Sequence, residues 1–466
     1  MSRHLISLLV LFVVSATTNS AIAEKPNFLI FLVDDMGWVD PECYGSPFHE
    51  TPNINRLAEQ GMKFTDAYAA CPVCSPTRAS IVTGKYPATL NLTDFIPGHW
   101  RPWEKLVVPE MNRNLPLQEQ TFAELLKPAG YVSGSFGKWH LGDAQHNPGQ
   151  QGFDEFTVTG GRHFAPRFRT TPPEEIPAGT YLADYLTDKA EDFLERHQDE
   201  PFVLYLPHYA VHIPLEAKEE LVAKYEQKPK TDPRRVNNPT YAAMVEHIDR
   251  SLGRIMNKLD ELALSENTVL IFFSDNGGLY QRFDKQGEPV MVNLPLRDEK
   301  GSLYEGGIRV PLIVRWPGKV NAGTVCHTPV SSVDFVPTML DLAGIDSPDV
   351  RFDGTSLVPL LTGEGPLDRD GIYWHYPHYH HTTPAGAVRA GDWKLIEYFD
   401  DGRTELYNLK TDLSETENLV ERHPDKANQL LQQLRSWRTS INAKMPTPNP
   451  EYDPAKADQW KRRPRP

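Results

Sequence analysis

The segment CPVCSPTRASIVTG, residues 71–84, is the most informative stretch of this 466-residue sequence. Its two cysteines have the spacing of a redox-active pair or of half a zinc site. A redox pair normally opens a helix within a small thioredoxin-like unit, and no such unit surrounds this segment. A structural zinc site needs a second ligand pair at matching spacing, which Cys43 and Cys326 do not supply. The function of the segment therefore depends on the residues that follow Cys74.

Short apolar runs alternate with amphipathic helical patterns on both sides of this segment. The periodicity predicts helices over residues 51–61, 121–130 and 241–262. Runs of β-branched and aromatic residues predict buried strands over residues 28–33, 131–136, 202–206, 268–273 and 310–314. This alternation predicts an α/β fold in which helices sandwich a large mixed, mostly parallel sheet.

The pattern changes after about residue 365. Strand-like segments at residues 386–399 and 403–409 are joined by Asp400-Asp401-Gly402, a hairpin-turn signal, and a last helix follows Pro424. We predict a large N-terminal domain over residues 24–365 and a smaller C-terminal α+β subdomain over residues 366–445. The proline-rich, basic tail, residues 446–466, is expected to be extended and mobile.

The first 23 residues have the order of a cleavable export signal, with basic, apolar and small-residue parts. The apolar part is too short to span a bilayer, and no later stretch is long and apolar enough, so we predict an exported protein without a membrane span.

Four cysteines, Cys43, Cys71, Cys74 and Cys326, allow disulfides in such a chain, but their spacing alone does not pair them. The net charge of −14 argues against a nucleic-acid partner, and an anionic substrate would require a locally basic pocket.

Acidic and amide side chains follow two of the predicted strands. Asp34 and Asp35 end the first, and Asp275 and Asn276 follow a much later one. Function collects at the carboxyl ends of strands in open α/β sheets. Each pair alone is more often a helix cap or a turn, but both together favour a site for Ca²⁺ or Mg²⁺, which prefer these oxygen ligands.

The run Cys74-Ser75-Pro76-Thr77-Arg78, with a Thr-Gly a few residues on, resembles the signature of the type I sulfatases. Further segments of the chain look like the same family, namely PNFLIFLVDDMGW, GKWHLG, YAVHIP, FFSDNGG, KGSLYEGGIRVP and ELYNLKTDLSETENL. The resemblance implies the fold of the alkaline phosphatase superfamily and makes residues 24–365 the catalytic domain. It also implies the hydrolysis of sulfate esters.

The resemblance carries residue roles with it. Cys74 would be oxidised to Cα-formylglycine by a maturation enzyme. One Ca²⁺ per chain would be held by that residue together with Asp34, Asp35, Asp275 and Asn276. The sulfate pocket would be lined by Arg78, Lys138, His140, His212 and Lys300. Of these, His140 would act as the base, and His212 or Lys300 would protonate the leaving group.

The substrate is less constrained by the sequence. Histidine and aromatic clusters predict sugar contacts, or else a histidine-rich surface loop, at His99, Arg162, His163, His375 and His378. The chain is similar to bacterial polysaccharide sulfatases and to N-acetylgalactosamine 4-sulfatase, which implies exo-acting hydrolysis of 4-O-sulfated galactose or N-acetylgalactosamine. The sequon Asn91-Leu92-Thr93 stands out alone, which favours a bacterial periplasm or secretion over a lysosome.

Two other functions stay open at this point. A phosphatase or phosphodiesterase of the same superfamily would use a Ser or Thr nucleophile and usually two zinc ions held by histidines. The cysteine at position 74, within its signature, argues against this function. A non-catalytic glycan-binding protein would be expected to have lost pocket residues, and all nine positions carried over in addition to Cys74 match the expected residue types.

Overall fold

The structure, a computed structural model, describes residues 25–280, 289–346 and 349–457. The predicted export signal and the basic end of the tail, residues 458–466, lie outside the described residues. Within the described ranges, no helix combines the length and apolar character needed to cross a bilayer.

The main sheet contains nine strands among the described residues, and its centre is parallel. In spatial order the strands are β11 (Thr324–Cys326), β2 (Met62–Phe64), β10 (Leu312–Arg315), β9 (Thr268–Ser274), β1 (Asn27–Val33), β8 (Phe202–Pro207), β5 (Val132–Gly137), β6 (Glu155–Gly160) and β7 (Arg169–Thr171). Strand β1 pairs in parallel with β8 and β9, and β5 pairs in parallel with β8 and β6. Strand β10 runs antiparallel to β9. The predicted α/β fold is confirmed.

Helices cover both faces of this sheet. Every residue of β1 is buried, and alternate side chains enter two separate cores, Phe28 and Ile30 on one face and Leu29 and Phe31 on the other. One core is completed by α2 (Cys74–Thr83), α3 (Phe122–Leu126), α8 (Phe335–Leu342) and α9 (Val358–Thr362). The other is completed by α1 (Pro52–Gln60), α4 (Leu182–Arg196) and α6 (Pro239–Glu261), with α5 (Glu219–Gln227) packed on α6. This two-sided burial explains why the strands read as continuous apolar runs.

The predicted elements differ from the observed ones mainly at their ends. The helix expected over residues 121–130 ends at Leu126 and continues as a 3₁₀ turn over Lys127–Ala129. Pro128 has no N–H to continue the α-helical hydrogen bonds. The strand-like segment 386–399 is two strands, because Gly391 has a φ of +58° and turns the chain.

The C-terminal part forms a four-stranded antiparallel sheet with one helix packed on it. Its strands are β13 (Ile372–Tyr376), β14 (Ala385–Ala390), β15 (Trp393–Tyr398) and β16 (Thr404–Asn408), and its helix is α10 (Pro424–Ser440). The remaining short elements are β3 (Ala67–Tyr68), β4 (Leu106–Val107), α7 (Glu305–Ile308), β12 (Val330–Ser331) and β17 (Thr447–Pro448). The tail begins with β17, which pairs with β4 and so ties this part of the tail to the N-terminal part of the chain.

A buried group of charged residues joins the C-terminal sheet to the main domain. We call Glu305, Lys394, Glu415, Tyr68 and Arg309 the anchor cluster. The Lys394 ammonium lies 2.8 Å from Glu305 Oε1 and 2.9 Å from Glu415 Oε1. Glu305 Oε2 accepts hydrogen bonds from Tyr68 at 2.7 Å and from Arg309 at 3.1 Å. These ion pairs and hydrogen bonds compensate the charges in an interface that is closed to water.

Candidate active site

Cys74 begins α2, a helix in which every residue is buried. Pro76 is tolerated because the N–H groups of the first helical turn have no partner within the helix. The helix ends at Thr83, and Gly84, whose φ is +70°, forms its C-cap. The partial positive charge at the helix N-terminus favours an anion beside Cys74.

The predicted acidic residues meet at the edge of the main sheet, beneath Cys74. The last residues of β1 and β9 are register partners in parallel strands, so the residues that follow them are neighbours. Asn276 Nδ2 donates to Asp35 Oδ1 at 2.7 Å, and the Asp35 amide donates to Asp275 Oδ1 at 3.1 Å. Acceptor atoms of Asp34, Asp275 and Cys74 lie within 4.8 Å of one another. The structure thus brings all five predicted metal ligands together.

Three buried cations surround these carboxylates. Lys138 Nζ lies 2.5 Å from Asp34 Oδ2, and Lys300 Nζ lies 2.7 Å from Asp35 Oδ1. The remaining cation, Arg78, makes two contacts with Asp275, from Nε at 2.8 Å and from Nη2 at 2.7 Å. The site therefore has the locally basic groups that an anionic substrate needs within an acidic protein.

Two buried oxygen atoms in this group lack a hydrogen-bond donor. Asp34 Oδ1 and Asn276 Oδ1 have no hydrogen-bond partner among the described residues. Burial and then the nearby Asp34 raise the pKa of Asp275 well above its ordinary value. Unpaired oxygens and crowded carboxylates are both costly when buried, and a hard divalent cation relieves both. The donor set fits Ca²⁺.

His140 faces Cys74 directly. Its Nδ1 lies 3.2 Å from Cys74 Sγ, and its Nε2 lies 2.7 Å from the carbonyl oxygen of Ile96. Since a carbonyl oxygen only accepts, we infer that Nε2 carries the proton and that Nδ1 offers a lone pair to residue 74. Burial, and then the charge of Lys138, lower the pKa of His140 to about 3. A neutral imidazole at this position is able to take a proton.

His212 lies on the other side of the acidic group. Its Nδ1 is 2.6 Å from the Ile213 carbonyl oxygen, and its Nε2 is 3.6 Å from Asp35 Oδ2. Burial, and then Lys300, lower the pKa of His212 to about 4, so the ring is neutral at neutral pH. Burial acts to lower the pKa of Lys300, but the nearby negative charges, foremost that of Asp35, together raise it above its ordinary value, so Lys300 keeps its proton.

A cavity of about 490 Å³ opens above these residues. Of the predicted residues it is lined by Cys74, Lys138, His140, His212, Lys300 and His99. The predicted site residues left out several lining residues, namely Phe95, Ile96, Tyr209 and Leu279, and included His380 only as part of the histidine-rich run. Leu279 follows the DNGG motif and His380 lies in the histidine-rich run, so a sequence motif points to both. No motif in the sequence points to Phe95 or Ile96.

The structure corrects most of the predicted sugar contacts. Arg162 follows the lining residue Gly161 and is paired with Glu216, 3.3 Å away. His163, His375 and His378 do not line the cavity, because each is buried and bonded elsewhere. His163 Nε2 lies 2.9 Å from the His212 carbonyl oxygen, His375 Nε2 lies 2.9 Å from that of Lys444, and His378 Nε2 lies 2.8 Å from Thr93 Oγ1. These three side chains are therefore bonded within the protein and do not face the cavity.

The four cysteines carry free thiols. Cys71 is buried, and burial raises the pKa of its thiol well above the ordinary value. It packs in the core beneath the C-terminal sheet, which agrees with a packing residue and not with a disulfide half.

Comparison with known proteins agrees with this geometry. The family model described as Sulfatase matches residues 26–345, and the model described as N-sulphoglucosamine sulphohydrolase, C-terminal, matches residues 298–442. A sulfatase of Formosa agariphila is 32% identical over 92% of this chain and 91% of its own length. The N-acetylgalactosamine-6-sulfatase of Canis lupus familiaris is 36% identical over 82% and 74%, respectively.

A solved structure, that of Ps i-CgsB in complex with k-i-k-neocarrahexaose, superposes with a TM-score of 0.76 at 29% identity, over 93% of this chain and 96% of that one. The family model covers most of the chain, and Cys74 lies among the carboxylates of the candidate site. The chain therefore belongs to the sulfatase family and is a sulfuric ester hydrolase.

Proposed function

We propose that this enzyme removes sulfate from a carbohydrate chain, with a formylglycine made from Cys74 and one bound Ca²⁺ at its centre. The observation that carries the proposal is the position of Cys74, which lies at a helix N-terminus, against His140 and within reach of Asp34 and Asp275. That arrangement suits a nucleophile attacking an anionic ester.

Asp34, Asp35, Asp275 and Asn276 would hold the ion, together with the side chain at position 74. When bound, Ca²⁺ would neutralise part of the sulfate charge, and a hydrated formylglycine would supply a hydroxyl nucleophile. Two observations support the fit of these four residues to Ca²⁺. Asp34 Oδ1 and Asn276 Oδ1 have no hydrogen-bond partner among the described residues, and the carboxylates of Asp34 and Asp275 are crowded together.

The other side chains have separable tasks. Lys138 and Lys300 present positive charge to the cavity and would bind the sulfate oxygens, while Arg78, beneath them, orients Asp275. His140 would accept a proton through Nδ1, which the Ile96 carbonyl keeps unprotonated by binding Nε2. Lys300 holds a proton at neutral pH and His212 does not, so we assign donation to the leaving group to Lys300.

For the substrate, we infer an exo-acting enzyme with a 4-O-sulfated galactose or N-acetylgalactosamine at the chain end as first choice. Two of the similar proteins are named for an N-acetylgalactosamine sulfate and for a bound neocarrahexaose, which supports a saccharide. The relatives named N-acetylgalactosamine-6-sulfatase make the 6-O-sulfated sugar the specific rival. We place the enzyme outside the bacterial cytoplasm, in the periplasm or secreted, with a formylglycine-generating maturation enzyme as its partner.

Sulfate release from a panel of saccharides tests this proposal. The chain would be produced with and without a formylglycine-generating enzyme, and residue 74 would be checked by peptide mass. We expect release only from the matured protein, fastest from sugars sulfated at the 4-O position of a terminal galactose-type ring. Faster release from 6-O-sulfated sugars would replace that substrate. Equal activity on an aryl phosphate and the matching aryl sulfate would favour the phosphatase alternative, and binding without turnover would favour a glycan-binding protein.

A further inference from the structure

One wall of the cavity is assembled from three segments that are far apart in the chain. They are the loop over residues 93–108, the histidine-rich segment 376–381 and the start of the tail, residues 444–453. The loop is fixed to the second segment, because Tyr376 donates to Asp94 Oδ1 at 2.7 Å and the Leu106 amide donates to Tyr379 Oη at 3.0 Å. We call this assembly the outer wall.

The tail fixes the second half of the loop. Asn449 Nδ2 donates to the carbonyl oxygens of Pro102 at 2.7 Å and Glu104 at 2.6 Å. The backbone amides of Asn449 and Asp453 donate to the carbonyl oxygens of Lys105 and Trp103, both at 3.0 Å. A loop held at so many points presents its side chains in a fixed position, which lowers the entropy cost of binding a ligand.

The side chains presented by this loop suit a sulfated sugar. Trp100 is 82% exposed, more than any other large hydrophobic side chain among the described residues, and its neighbour His99 lines the cavity. Arg101 is partly exposed and lies close enough to His99 for its charge to add to burial in lowering the pKa of that ring to about 4. The charge of Arg101 also reaches His380, a second lining residue, so both Trp100 and Arg101 lie close to residues that line the cavity. An exposed aromatic side chain and a cation near the cavity match the apolar face and the anionic groups of a sulfated sugar unit.

We propose that Trp100 and Arg101 form a second sugar-binding subsite, which holds the sugar unit next to the one whose sulfate enters the cavity. This inference rests on the proposed function and extends it from the terminal sugar to its neighbour. It makes the enzyme selective for sulfated chains of two or more units over a single sulfated sugar. Asn449 is a positioning residue for this subsite, because it acts only through the loop.

The test compares kcat/KM on a sulfated monosaccharide and on a tetrasaccharide that ends in the same sulfated sugar, using whichever sugar the matured wild type cleaves best. We expect the wild type to favour the tetrasaccharide about tenfold, the scale of one aromatic contact. Trp100→Ala should bring this ratio close to one, Trp100→Phe should keep most of it, and Asn449→Ala should lower it in the same direction. Val325→Ala, which changes a 47% exposed residue on the far edge strand β11, should leave the ratio unchanged.

The outcomes separate this inference from the proposed function. No turnover of any sulfated sugar by the matured wild type would overturn the proposed function. Turnover with a wild-type ratio near one, or a ratio that Trp100→Ala does not change, would overturn the subsite alone. An equal loss on both substrates in Trp100→Ala would show that the residue only supports the cavity, and would also overturn it.

Discussion

The active site and the anchor cluster are built from the same kinds of residues, but the anchor cluster serves stability and the active site serves binding and chemistry. Each places carboxylates and cations in a buried setting, with Asp34, Lys138 and Arg78 in the first and Glu305 and Lys394 in the second. In the anchor cluster both oxygens of Glu305 have cationic or hydroxyl partners. In the active site Asp34 Oδ1 has no hydrogen-bond partner among the described residues, and the group lies beneath a cavity.

This difference shows how one set of interactions serves stability or function. A buried charge is costly unless it is compensated, so a closed cluster compensates it within the protein. An open cluster leaves part of the compensation to a ligand, and its residues are therefore available for binding and chemistry. Substitutions in the two clusters should therefore differ in whether they lower activity or stability.

The largest effect is expected at Cys74. Cys74→Ala removes the side chain that we propose becomes the nucleophile, so we expect activity to fall by at least about 10⁴-fold. The fold should persist, because the helix that Cys74 begins is buried throughout and one sulfur is lost. Sulfate release and the melting temperature would be measured together, with Cys326→Ser, at the sheet edge, as the control that keeps activity. Substantial activity in Cys74→Ala would refute the role of this residue.

The anchor cluster should show the reverse pattern. Lys394→Met leaves Glu305 and Glu415 buried without their shared cation, and we expect unfolding in urea to require about 3–5 kcal/mol less free energy. The kcat per folded molecule should stay close to that of the wild type, because Lys394 does not line the cavity. A large loss of kcat in the folded variant would show that the two clusters are coupled.

Calcium should stabilise only the open cluster. If the ion binds the native state alone, Ca²⁺ at 100 times its dissociation constant adds about 2.7 kcal/mol to the free energy of unfolding, and a chelator removes this gain together with activity. Asp275→Asn should lose most of this response. Lys394→Met should keep it at full size, since Lys394 is not part of the candidate metal site. A wild type whose unfolding is insensitive to Ca²⁺ would contradict the metal assignment.

A smaller effect on the free energy of unfolding is expected from the lowered pKa of one buried histidine, His208. Burial lowers the pKa of His208 to about 3, against 6.5 in the unfolded chain. Between these values the unfolded state binds the proton more tightly, so the stabilising contribution is complete above pH 6.5 and falls as the pH falls towards 3. From pH 7 to pH 5 the loss from this residue is about 2 kcal/mol. His208→Gln should reduce the loss by that amount, as measured by urea unfolding at both pH values, and an unchanged loss would refute the prediction.

Much of the fold and of the active site could be predicted because the signals are local. Buried parallel strands appear as continuous apolar runs, and the side chains after β1 and β9 meet because the two strands are register partners. The sequence analysis could not predict that His375 and His378 would be buried. A histidine-rich run has the same composition whether its side chains face a ligand or the carbonyl of Lys444 and the hydroxyl of Thr93.

By itself, the sequence determined the α/β class, the signature that begins at Cys74 and the acidic residues after β1 and β9, since each depends on neighbours in the chain or on strand ends that any parallel sheet brings together. The other pocket residues were predicted from the resemblance to a known family. Only the tertiary structure decided the outer wall and the anchor cluster. Asn449 lies more than 300 positions from the loop that it holds, and Lys394 lies 89 positions from Glu305. Contacts across such distances leave no periodic pattern, because the geometry that forms them exists only after both domains have packed.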